Sequence, residues 1–140
     1  NKMIPIKFRG KSTTDKKWYY GFFIIGYGYG GYYIDSAGDG CLIEVIPETV
    51  GQFTGLLDRN GKEIFEGDKI SIKSKYNQEE IAIVNFGKGQ ISGSEFLHDI
   101  LGFYLNEITT NLPTDLYLTE YGAEIEVIGN IHDNPENLSK

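Results

Sequence analysis

The chain has 140 residues, 40% of them hydrophobic and 24% charged, a balance that excludes a disordered tail and is long enough to bury a core without staples. A single cysteine, Cys41, excludes an intrachain disulfide and suits a reducing compartment, and no apolar run approaches the ~18 residues of a membrane span. The net charge is −7, yet the first 17 residues hold six basic side chains and one acid, a net of +5, which leaves −12 on the other 123.

An acidic body disfavours nonspecific binding to a polyanion. The basic arm either pairs with the acidic face of a neighbouring subunit or is simply solvated. Asn1 and Lys2 precede Met3, a candidate native start, and no signal-peptide pattern follows, so the expected location is the cytoplasm.

In chain order, Ile4-Pro5-Ile6-Lys7-Phe8-Arg9 alternates as a strand, with Pro5 at a strand start or on an edge. Gly10 to Lys17 is a polar loop. Trp18 to Ile25, WYYGFFII, is dense in aromatic and β-branched residues and is expected to be a strand buried on much of both faces. Gly26 to Gly31 is a glycine-rich hairpin connection, and Tyr32-Tyr33-Ile34 returns. Ser36 to Gly40 is a turn. Cys41 to Ile46 is a strand that Pro47 breaks, with Cys41 expected as a small buried residue. Asn60-Gly61 predicts a type I′ turn and Gly67-Asp68 a second turn. Lys69 to Lys73 alternates like a half-buried strand. Ser74 to Glu80 is a loop, Ile81 to Phe86 a buried strand, and Gly87-Lys88-Gly89 a turn. Gln90 to Phe96 and Gly102 to Ile108 read as further strands; Phe96 to Leu101 fits one helical turn or a continuous strand. Asn111 to Asp115 is a loop, and Ile125 to Ile131 the closing strand. Asn134-Pro135-Glu136 has the form of a helix N-terminus.

Helical periodicity over more than ten residues is absent, and short strands with regular turn signals predict a mostly β fold. The expected arrangement is an N-terminal β-hairpin lobe over 3–51, a small SH3-like β-barrel over 52–132 and a short helical tail over 133–140.

Chemistry-bearing residues are sparse. His98-Asp99 and His132-Asp133 lack the further ligands a metal site needs, so no metal or other cofactor is expected. Glu63, Glu66 and Asp68 are close in sequence, as paired catalytic carboxylates would be, but turn chemistry accounts for them. Gly55, Asn60, Gly61, Gly67 and Asp68 are assigned to backbone geometry. The strongest feature is aromatic: nine of the 19 aromatic residues fall between Trp18 and Tyr33. They serve self-association, an intramolecular core or single-stranded nucleic acid. The run contains no cation of its own, so nucleic acid is the less favoured partner. Exposed aromatic patches mark protein contacts, and Trp18, Tyr19, Tyr20, Phe23, Tyr27 and Tyr29 are the expected interface of a homo-oligomer.

Thr54-Gly55-Leu56, Asp58 and Asn60-Gly61-Lys62-Glu63-Ile64-Phe65-Glu66-Gly67-Asp68 together form a signature that resembles the YopX family of small phage and prophage proteins. Arg9-Gly10-Lys11, Lys17-Trp18-Tyr19-Tyr20-Gly21, Pro47-Glu48-Thr49-Val50-Gly51-Gln52-Phe53 and the segment Glu126 to Glu136 fit the same family. The resemblance implies a phage-type protein and brings no reaction with it. The expected function is therefore non-enzymatic, through contacts with its own kind or with a host or phage protein. One alternative is a module for single-stranded nucleic acid or for a host nucleic-acid-binding protein. The other is a hydrolase using Asp58, Glu63, Glu66 or Asp68.

Overall fold

The computed structural model describes residues 5–26, 30–38, 40–73, 79–92, 97–107, 113–115 and 124–133, with 87–92, 97–107 and 113–115 described through their backbone. The described residues are mostly β-strand, with one short 3₁₀ turn at Pro47–Thr49. The chain divides into two compact units, 1–55 and 56–140.

The first unit holds β1 (Phe8–Lys11), β2 (Trp18–Ile25), β3 (Tyr32–Asp35), β4 (Leu42–Glu44) and the start of β5 (Gly51–Leu57), in sheet order β4-β3-β2-β1-β5. β1 begins later than the alternation from Ile4 predicts, and Ile6 is largely exposed. Strand pairing extends instead into the expected loop, to Lys11 opposite Trp18. β2 has the predicted bounds but contains no fully buried residue, contrary to expectation. The reason is its pairing. Its first half lies against β1, from Lys11↔Trp18 to Phe8↔Gly21, and its second half against β3, from Phe22↔Asp35 to Ile25↔Tyr32. Gly21 sits at the changeover. A Cβ there would lie 2.2 Å from the Asp35 carbonyl oxygen, so only glycine lets β3 come that close.

Because opposed residues share a face and alternate residues change face, the registers sort this sheet into two sides. One carries Phe8, Phe23, Ile34 and Val45. Ile34 and Val45 are buried, Phe23 packs tilted on Phe8 at 5.5 Å, and it stacks on Tyr32 at 6.0 Å. Gly10 permits the crossing of Val45, whose Cβ is 3.0 Å from where a Gly10 Cβ would stand. Thr49 ties the 3₁₀ turn to β1: its Oγ1 accepts from the Lys11 amide at 2.9 Å and donates to the Ile46 carbonyl at 2.6 Å. Cys41 is exposed, against expectation. It precedes the first paired residue of β4, Leu42 opposite Asp35, on the outermost strand of the order.

The second unit contains the end of β5 with β6 (Glu63–Phe65), and the sheet β10-β9-β8-β7-β11. Its strands are β7 (Asp68–Lys73), β8 (Glu79–Ser92), β9 (Leu97–Glu107), β10 (Pro113–Asp115) and β11 (Glu124–Asn130). The core is Ile64, Ile70, Ala82 and Val84, flanked by Leu56, Ile72, Ile125 and Val127. Burying each branched side chain contributes about 1.5–3 kcal/mol. Register lines up the middle of it, with Val127, Ile70 and Ala82 opposite one another on three adjacent strands. β7 is covered on both sides from Asp68 to Ser71, where alternation predicts a half-buried strand.

Three further expectations change here. Gly87-Lys88-Gly89 is not a turn: β8 runs straight through it, paired with Gly102, Leu101 and Ile100. Leu97 to Leu101 is strand, one of the two forms expected for it, whereas Pro113–Asp115 is a short strand on β9 where a loop is expected. Glycine lowers strand propensity but does not forbid extended backbone when a long partner supplies the ladder. Nor does the sheet close into a barrel among the described residues; β10 and β11 end its order. The expected helix start at Asn134-Pro135-Glu136 lies outside the described residues.

Candidate functional site

Two places bring sequence-predicted residues together, one in each unit. In the second unit the signature stretch folds about Asp58. The chain leaves β5, turns at Arg59-Asn60-Gly61 and returns as β6. The Gly61 amide donates to the Asp58 carbonyl at 3.0 Å, and the Asp58 amide to the Lys62 carbonyl at 2.8 Å. Gly61 has φ +81°, while Asn60 is not among the residues of positive φ. This is a three-residue hairpin loop, a type I turn followed by a left-handed glycine, and not the expected type I′ turn, which needs positive φ at both central residues.

Asp58 is buried. Its Oδ1 accepts from the Asn60 and Lys62 amides, both at 2.8 Å, and its Oδ2 from the Val127 amide at 3.0 Å. Burial by itself pushes the Asp58 carboxyl up. The amides of Val127, Lys62 and Asn60 and the Lys62 charge outweigh it and hold the group below its ordinary 3.8. The loop also reaches β11 by other routes. The Arg59 amide donates to the Ile125 carbonyl at 2.9 Å. The Arg59 guanidinium meets Glu124 at 3.1 Å, and the Asn60 side chain donates to Glu126 at 3.4 Å. The outer edge of β11 is thus occupied by a loop whose principal acceptor is a side chain.

Asp68 is buried at the second turn, where its Oδ2 accepts from the Phe65 amide at 2.8 Å. Gly67, with φ +91°, donates to the Val84 carbonyl and accepts from the Ile131 amide. Gly55 has φ +86°. Asp58 and Asp68 therefore each serve the backbone of a different turn. A carboxyl held below its ordinary range is a poor proton donor near neutrality. Among the described residues no group of three or more His, Cys, Asp or Glu is placed to hold a metal ion. The imidazole of His98 and the pair Tyr27 and Tyr29 lie outside what is described.

In the first unit the other side of the sheet carries Arg9 and Lys11 from β1, Trp18, Tyr20 and Phe22 from β2, and Leu42 from β4. The Arg9 guanidinium lies 4.6 Å and the Lys11 Nζ 5.8 Å from the centre of the Trp18 ring. Tyr20 is 43% exposed, Phe22 60% and Leu42 45%; on the opposite side, where the hairpin reaches past the core, Ile25 is 47% and Tyr32 38% exposed. Of the expected interface, Tyr20 is exposed and Trp18 half-buried. Tyr19 points to the other side with its hydroxyl donating to Asp15 at 2.7 Å, and Phe23, half-buried on that side, stacks on Tyr32. Phe22 and Leu42 were reachable from the period of two alone; the neighbouring cations needed the β1–β2 register.

The family model for the YopX protein matches residues 7–139, nearly the whole chain. The chain belongs to the YopX family. The stretch Thr54 to Asp68 builds the Asp58 loop and the Gly67 turn. Among solved structures, protein EF1440 from Enterococcus faecalis is similar to this YopX-family chain at 22% identity, over 98% of this chain and 100% of that one, with a TM-score of 0.47. Comparison with curated proteins gave no match.

Proposed function

We propose that this YopX-family protein catalyses no reaction and works through protein contacts in the bacterial cytoplasm, associating with itself through the far end of its N-terminal hairpin. One observation carries this. At that end both sides of the sheet expose large apolar side chains, Phe22 and Leu42 on one and Ile25 and Tyr32 on the other. A three-strand hairpin sheet has one core to offer and cannot cover both. Rings of this size anchor interfaces when buried. A second copy is the occupant that charge favours: the first 17 residues carry +5 and the rest of the chain −12, so one copy's basic arm complements another's acidic body. Hydrolysis ranks last, because Asp58 and Asp68 are committed to backbone amides.

The test is particle mass by light scattering on the wild type and on Phe22→Glu with Leu42→Glu. The expected result is an oligomer for the wild type and a folded chain of lower mass for the double variant. A wild type that stays monomeric at high concentration refutes the proposal, as does a folded variant of unchanged mass.

A further inference from the structure

β8 and β9 outlast their sheet. β7 pairs with β8 from Glu79 to Ile83, and beyond that the Gly67 amide donates to the Val84 carbonyl. β10 pairs with β9 from Tyr104 to Asn106. Past those points seven further rungs, from Phe86↔Phe103 to Ser92↔Leu97, join β8 and β9 to each other and, among the described residues, to no third strand. They make an arm ~20 Å long. Burial marks where it leaves the core. Val84 is fully buried, and Phe86, next along the same side, is 48% exposed.

A two-stranded ribbon is marginal in water until further strands join it. Three features of this one favour such a strand. By register, Phe86, Leu97, Leu101 and Phe103 share one side of the arm, and Ile91 and Ile100 the other. Its formal charges are Lys88 and Asp99 alone, few for an edge kept clear of other strands by charge. Gly87 and Gly89 interrupt β8, and glycine inside a strand marks a place where another backbone comes close.

The bond pattern selects the edge. In an antiparallel ladder, alternate residues turn their amide and carbonyl to opposite sides. The Val84 carbonyl is on the β7 side, so the backbone groups of Lys88 and Gln90 lie on that side too, away from β9. We propose that this edge of β8, from Phe86 to Ser92, pairs antiparallel with the same edge of a second copy of the chain, about a two-fold axis at Gly89. Lys88 then stands opposite Gln90 of the second copy, and Phe86 opposite its Ser92. Every residue whose backbone groups face outward meets another of the same kind. An axis at Lys88 would set two lysines opposite each other, which is destabilising. With the axis at Gly89, each Lys88 instead shares a side with Asp99 of the second copy, two strands away. The strand is its own complement, in register and in charge, which favours a second copy over a foreign strand. The product is a four-stranded ribbon with β9 on both outer edges. All these residues belong to the second unit, so the pairing goes beyond the self-association proposed for the first and does not rest on it.

The experiment uses the full chain, with particle mass by light scattering across concentration and residue-resolved hydrogen exchange at low and high concentration. In the Phe22→Glu, Leu42→Glu background the expected species is a dimer. Lys88→Pro removes an outward amide and leaves the bonds to β9 in place, as proline on a sheet edge does. Two-fold symmetry counts the loss twice, so dimerisation should weaken about tenfold or more. Lys88→Thr keeps the amide and should keep the dimer. The Lys88 and Gln90 amides should gain protection as concentration rises, while those of Gly89 and Ile91, which face β9, are protected throughout. A monomer in the Phe22→Glu, Leu42→Glu background, with the wild type still associated, overturns this pairing and spares the first unit's. Wild-type mass in that background, lowered by Lys88→Pro, supports this pairing and overturns the first unit's. A wild type monomeric at every concentration overturns both. Lys88 and Gln90 amides protected at every dilution would mean that the chain covers its own edge, which overturns the proposal. So does a folded Lys88→Pro variant that dimerises undiminished, or a Lys88→Thr variant that dissociates as Lys88→Pro does.

Discussion

Removing the Asp58 carboxylate tests the account of the second unit most directly. Asp58→Ala strips three amides of their acceptor at once. They are not equal. Asn60 and Lys62 lie in an exposed turn, where water replaces the lost acceptor at a cost of roughly 0.5–1 kcal/mol each. The Val127 amide lies on a strand beneath the loop, and its loss is expected to cost about 2–3 kcal/mol, the range for a hydrogen bond to a charged group. The total is about 3–5 kcal/mol, a large fraction of the ~5–15 kcal/mol of a typical domain. It corresponds to a midpoint lowered by about 10 °C or more. Asp58→Asn keeps an oxygen for the two turn amides and sets an amide group against Val127, so it should cost about 2 kcal/mol. Urea unfolding followed by circular dichroism gives the energies, and hydrogen exchange at Val127 gives the location. The pH dependence has a fixed sign. The native carboxyl lies below the ordinary 3.8, so its contribution is complete above that value and is lost as pH falls through the lower native one. The gap between wild type and Asp58→Ala should therefore narrow as pH falls below the ordinary carboxylate range. An alanine variant within about 0.5 kcal/mol of wild type at neutral pH, or a gap independent of pH, would refute this reasoning.

Other substitutions separate backbone geometry from packing. Gly61 has φ +81° with open space where a Cβ would stand, so Gly61→Val should cost about 1–2 kcal/mol from conformation alone and Gly61→Asn clearly less; equal costs in thermal unfolding would mean that φ is not what matters there. Gly21 has the opposite problem, a Cβ 2.2 Å from the Asp35 carbonyl, so Gly21→Ala should part β2 from β3 and expose the amides of Phe22 and Ile24, which face β3, to exchange, and unchanged protection would contradict the register. Asp15 is held below its ordinary value first by the Tyr19 hydroxyl and then by the Lys17 amide. Tyr19→Phe should move its titration upward in an NMR series, and a titration that stays where it was would mean that the Tyr19 contact is not made in solution.

Local pattern was legible wherever one short segment decides its own geometry. The bounds of β2 follow from WYYGFFII, and the Asn60-Gly61 hairpin is where turn chemistry puts it. The kind of turn was not legible, because Asn-Gly serves both a type I′ turn and a type I turn with a left-handed glycine, and the Asp58 bonds select the second. An Asp two residues ahead of Asn60 is a signal for a side-chain-capped turn, and it accounts for two of the three amides. The third comes from Val127, 69 residues on, and no local pattern carries that. The same limit explains β8. Gly87-Lys88-Gly89 looks like punctuation until Gly102, Leu101 and Ile100 lie opposite. The Arg9, Lys11 and Trp18 cluster was hidden for a related reason. A cation count along the sequence sees β1 and β2 as separate segments, while their register makes them one surface.

Sheet edges are templates for further strands, and a protein that leaves one open invites other chains to add to it. On β11 that template is masked by the Asp58 loop, and the mask depends on ionisation. Once the carboxyl is protonated, the Val127 amide loses its strongest acceptor, and the loop keeps β11 chiefly through the Arg59 amide on the Ile125 carbonyl. Acid thereby loosens the cover of a strand, Glu124–Asn130. Aggregates formed below the ordinary carboxylate range should therefore be ordered and rich in intermolecular strand. Material that comes out of solution near the isoelectric point of about 4.8, with Asp58 still charged, should redissolve as folded protein.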